Sequence, residues 1–82
     1  MAAPGGLPVP HRLVDACARA WLALLCEARR DYRWHTSDVR TARPPTMGLP
    51  LAKELLRRGE EAVRPLHLDA VLDAHEAEHG DA

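Results

Sequence analysis

His75, Glu76 and His79 fall in the pattern His-Glu-x-x-His, which on a helix sets two imidazoles one turn apart with a carboxylate beside them. Zinc hydrolases use that spacing: the imidazoles hold the ion and the carboxylate takes a proton from metal-bound water. Catalytic zinc also needs a third protein ligand, which metalloprotease families place downstream of the motif. Only Gly80, Asp81 and Ala82 follow His79 here, and no strand edge for a substrate is evident. His75 and His79 continue the stripe of Val71 and Leu72, so they are expected at the polar end of a packing face. No metal, cofactor or catalytic residue is expected, and a zinc hydrolase is the third reading of function.

A second constellation joins basic and aromatic residues. Arg29, Arg30, Tyr32, Arg33 and Trp34 lie within six positions, and Arg40 and Arg43 follow. Arginine interleaved with aromatic rings can hold phosphates while stacking a base, and arginine and tryptophan are also enriched at the hot spots of protein interfaces. The formal charge of −1 hides a segregation that bears on the choice. Residues 1–28 are neutral, residues 29–58 carry eight cations against three carboxylates, and residues 59–82 carry one cation against seven carboxylates. An acidic final third repels an extended polyanion, so a protein partner is expected ahead of nucleic acid, with residues 29–58 as the nucleic-acid or polyanion alternative. The plainer account is that the basic and acidic thirds neutralise each other within the fold or across a dimer.

Nothing else in the sequence sets up a reaction. Cys17 and Cys26 are nine positions apart in one predicted helix, about 180° around its axis and about 13 Å along it, so they cannot form a disulfide with each other. Two unpaired cysteines are read as small buried apolar side chains in a reducing, cytoplasmic setting. Ser37 has no base at a defining distance, and no glycine-rich phosphate loop is present.

The elements that must carry these residues are helices. Fourteen alanines and 12 leucines, with no Phe, favour helix over strand. Residues 1–9, rich in Pro and Gly, read as a flexible arm ahead of a single domain at 10–82. A long first helix is predicted over residues 10–31, its polar positions Arg12, Asp15, Arg19, Glu27 and Arg30 forming one narrow stripe. Its remaining surface, including Val14, Cys17, Trp21, Leu24 and Leu25, is an apolar arc too wide for one neighbouring helix. Pro44, Pro45 and Gly48, with Pro50 directly after them, make residues 36–49 a loop.

A second helix over 50–64 starts at Pro50; Gly59 either caps it or, the favoured reading, lies within it or at a short kink and allows a close helix contact, with Pro65 as the stop. A third over 67–79 takes His67 as its cap, Leu66 and Val71 as a hydrophobic staple and Gly80 as its stop. The predicted fold class is all-α: one long N-terminal helix and two shorter C-terminal helices joined by a Pro-rich loop.

The longest uncharged apolar run, Ala20 to Cys26, is too short to cross a bilayer, and no membrane partner is expected. A chain of 82 residues buries only about 60–65% of its unfolded surface, so a partner subunit adds stability that matters. The first functional reading is therefore a non-enzymatic accessory or interaction subunit. It would contact another chain, or a copy of itself, through Trp21, Leu24, Arg29, Arg30, Tyr32, Arg33, Trp34, Arg40 and Arg43.

Overall fold

The computed structural model describes residues 11–38 and 43–79, with side chains from residue 14 onward. The expected arm at 1–9, Arg40 and the stop at Gly80 lie outside the described residues. Three helices make up the fold, α1 (His11–Thr36), α2 (Leu49–Val63) and α3 (Leu68–His79), and no strand occurs among the described residues. The all-α prediction, with one long helix ahead of two shorter ones, is what the structure shows.

Helix α1 runs five residues past the predicted end at Asp31 and is about 39 Å long. No glycine or proline stands between His11 and Thr36 to stop it. Arg33 places a cation in its last turn, where it complements the negative end of the helix dipole. The end itself is closed locally: the Thr36 hydroxyl donates to the Tyr32 carbonyl at 2.8 Å, and the Ser37 amide donates to the Arg33 carbonyl at 2.9 Å.

Gly48 precedes α2 in an extended conformation, and its carbonyl accepts from the Ala52 amide at 3.1 Å. Pro50 occupies the first turn, where a missing amide proton costs nothing. The helix passes through Gly59 as expected and ends at Val63, two residues before Pro65. His67 caps α3 through its backbone, its carbonyl accepting from the Val71 amide at 3.1 Å. The expected staple is weak, because Leu66 remains 64% exposed.

The three helices meet around a small core. Leu25 of α1 and Leu68 and Leu72 of α3 are buried, with Trp21, Leu22, Cys26, Leu55, Leu56 and Val63 packed around them. Fully buried Ala28 and Ala52 are small enough to let the helix backbones approach. Gly59 brings α2 closest: a Cβ there would lie 2.8 Å and 2.9 Å from the two methyl carbons of Leu25. Leu25 has no solvent-exposed surface and so no free direction in which to yield.

A Gly59→Ala change sets a helix-propensity gain of about 1 kcal/mol against an overpacking cost of about 1–3 kcal/mol. The clash wins in the native chain, so Gly59→Ala lowers stability in urea unfolding. In a Leu25→Ala background the clash is gone, and the same change raises stability. Additive effects of the two substitutions would contradict this contact.

Candidate functional site

Helix α1 carries the candidates from Trp21 to Trp34, and its C-terminal half is polar on two sides. One side carries Arg29, whose side chain is only 7% exposed. Its guanidinium reaches Asp69 Oδ1 at 3.3 Å, Asp73 Oδ1 at 2.9 Å and Glu76 Oε1 at 3.2 Å, three carboxylates on successive turns of α3. Burial works against the charge on Arg29, and the hydrogen bonds from Asp69 and Asp73 outweigh it, so the guanidinium is held above its ordinary pKa. The acidic last third and the basic middle third therefore do meet, at Arg29. Arg29 was expected at a partner surface; its donors are occupied within the chain.

The other side carries Asp31, buried to 2% side-chain exposure. Its Oδ2 accepts from the Thr46 amide at 2.9 Å, the Met47 amide at 3.1 Å and the Thr46 hydroxyl at 3.0 Å. One turn before it, Glu27 accepts from the same hydroxyl at 2.6 Å; one turn after it, His35 Nε2 donates to the Met47 carbonyl at 3.0 Å. Glu27, Asp31 and His35 thus grip the strand of chain that leads into α2. Burial raises the Asp31 pKa, but the Thr46 and Met47 hydrogen bonds and the nearby Arg30 more than offset it, and the carboxyl lies below its ordinary value. Sequence reading missed this clamp because it ended the helix at Asp31; the four-residue steps from Glu27 to His35 were the available signal.

Between these two features the predicted basic and aromatic residues do come together. Arg29, Arg30, Arg33, Trp34 and Arg43 line one cleft of about 470 Å³, with Ser37, Cys26 and Glu76 completing its walls. Arg30 is half-exposed and stands 3.8 Å from Glu27 and 3.9 Å from Asp31, at the long limit of an ion pair. The rings of Trp34 and His35 make an edge contact at 5.3 Å. Tyr32 faces elsewhere, lining a second groove of about 440 Å³ with Lys53 and Arg57 of α2. Arg57 and Arg58 in turn hold Glu54 down to about 2 through hydrogen bonds on the surface of α2.

Trp21 packs against the core, whereas Leu24 stays 36% exposed. His75 and His79 stand 4.7 Å apart, ring centre to ring centre, and His79 Nε2 lies 3.4 Å from Glu78. They line the groove between α1 and α3 with Asp15, Arg19 and Glu78. Among the described residues no group of three or more His, Cys, Asp or Glu side chains is placed to hold a metal. Both cysteines are free thiols, but only Cys26 packs with the core; Cys17, expected to be buried, is exposed and lies off the side of α1 that carries Asp15, Ala18, Arg19 and Leu22 along α3. Burial, then the charge and hydrogen bond of Glu76, push the Cys26 thiol up to about 11, so it is not a thiolate at neutral pH.

No helix of the described residues is long and apolar enough to cross a membrane. No family model, curated protein or solved structure matches the chain.

The Asp31 clamp has a pH signature. Because its folded pKa is depressed, its stabilisation is complete well above the ordinary value of 3.8 and is lost as pH falls through the lower folded value. Asp31→Asn keeps the shape but not the charge and is expected to cost about 1–3 kcal/mol at pH 7. Urea unfolding at a series of pH values checks this: the gap between the two proteins closes on acidification. A gap that stays constant to pH 2.5 would contradict it.

Proposed function

We propose that the chain is a non-enzymatic interaction subunit that docks on another protein chain, its own copy included, through the N-terminal half of α1. The observation that carries this reading is the run 14–20, seven consecutive helical residues that are all exposed. Five of them, Val14, Ala16, Cys17, Ala18 and Ala20, are apolar. Val14, at 50% exposure, Cys17, half-buried Trp21 and Leu24 follow one another at three- and four-residue steps and so share one side of the helix.

Packing explains why this strip is bare. Gly59 of α2 sits against Leu25, and α2 ends four residues later, so α2 contributes no more helix to cover the preceding turns of α1. With three large core side chains buried among the described residues, the chain also stands to gain stability from whatever covers the strip. An apolar strip on the surface of a small domain supports contact with another chain.

Light scattering tests the reading on the purified chain. A dimer or larger species is expected at micromolar concentration, and Leu24→Asp is expected to reduce it to monomer with helicity retained, since Leu24 already touches solvent. Trp21→Asp, by contrast, is expected to unfold the chain, because Trp21 packs on the core. A folded native monomer that neither dilution nor Leu24→Asp alters, and that retains no partner on purification from its own host, would overturn the proposal.

A further inference from the structure

The His-Glu-x-x-His motif of α3 keeps its two imidazoles together and sends its carboxylate elsewhere. Glu76, in the place where zinc hydrolases hold the base that acts on metal-bound water, faces the cleft beside Arg29, with Oε1 at 3.2 Å from the guanidinium. His75 and His79 line the groove between α1 and α3 instead. The fold therefore separates the metal-holding half of the motif from its catalytic half.

The two rings stand at a separation that one ion can bridge. An ion about 2.0–2.1 Å from one nitrogen of each ring would lie about 3.2 Å from each ring centre, so ligand angles of about 90–109° require centres roughly 4.5–5.2 Å apart. The observed separation is 4.7 Å, with the ring planes tilted by 43°.

The surroundings favour a cation. Asp15 and Glu78 line the same groove, with Arg19 opposing them. Glu78 Oε1 lies 3.4 Å from His79 Nε2, and a carboxylate beside an imidazole orients a metal-binding ring and raises its basicity. His75 is half-buried and His79 exposed, so an ion reaches both from solvent. No third His, Cys, Asp or Glu is placed to join them among the described residues, which leaves the other coordination positions to water. Ligand type sets the choice of ion: imidazole suits nickel, copper and zinc, whereas magnesium and calcium take oxygen ligands.

We propose that His75 and His79 together hold one divalent transition-metal ion of the nickel, copper and zinc class, with water in its remaining positions and Glu76 withheld from it. Both ligands belong to α3, so the site does not depend on the docking reading.

Isothermal titration of the full, untagged chain with Ni(II), Zn(II) and Mg(II) tests it; Cu(II) is left out because it would oxidise the exposed Cys17 thiol. Ni(II) and Zn(II) are expected to bind, and Mg(II) to give no heat at the same concentrations. His75→Ala and His79→Ala, each folded by circular dichroism, are expected to weaken Ni(II) about tenfold or more. A chain carrying both His79→Ala and Ala77→His keeps the number of imidazoles but moves one off the shared face, and is expected to bind as weakly as His79→Ala alone. Because the pair is brought together by the folded helix, Ni(II) is also expected to raise the hydrogen-exchange protection of the last turn of α3. Ni(II) binding that survives the substitution of both histidines, that is regained with Ala77→His, or that leaves α3 protection unchanged would overturn the proposal. So would Mg(II) binding as tightly as Ni(II), or no uptake of Ni(II) at all.

Discussion

One buried guanidinium organises the C-terminal half of this molecule. Arg29 leaves α1 beneath α3 and meets a carboxylate on each of three successive turns. The arrangement is asymmetric: the cation is buried, while Asp69, Asp73 and Glu76 keep more than half of their side-chain surface in water. Solvent screens each pair, so no single one is worth much, but the cation would be costly to bury without them. The network therefore acts less as glue than as a register device. It fixes which residues of α3 face α1, and with them the seating of Leu68 and Leu72 beside Leu25. It also leaves the acidic face of α3 bordering the cleft that Arg30, Arg33 and Arg43 line.

The opposite side of α1 is fixed by a different means. Asp31 takes two backbone amides and a hydroxyl from Thr46 and Met47, and so determines where α2 begins. From that point the close contact of Gly59 with Leu25 sets how near α2 approaches. Buried polar groups do this work because the apolar core is too small to specify the packing alone. Three buried leucines and a ring of half-buried neighbours hold the chain together without fixing register.

Much of this was legible in the sequence. Apolar periodicity, Pro50 and Pro65 located α2 to within a residue at each end, and Gly59 was recognised as a point of close approach. The end of α1 was misjudged because a charged, aromatic run reads as the edge of a helix. In the fold, the Asp31 carboxylate is held by amide donors 15 and 16 residues away that no local pattern announces. Arg30, Arg33 and Trp34 share one cleft with Arg43 because they are neighbours at the end of α1. The capture of Arg29 by α3 is a long-range pairing between segments of opposite charge. Segregated charge predicted that such a pairing could exist, but not which arginine would be taken.

The functional reading follows from the same division. The C-terminal half of α1 is engaged by its own chain on two sides, whereas the apolar residues of its run 14–20 are exposed among the described residues. The central claim, that charge rather than apolar burial holds α3 in register, is open to native-state hydrogen exchange on an Arg29→Met chain, which keeps most of the side chain's volume and removes its charge. Amides of α3 (Leu68–His79) are predicted to lose about tenfold or more of their protection while those at the α1–α2 contact around Leu25 and Gly59 keep theirs. Protection of α3 equal to that in the unsubstituted chain would contradict the account.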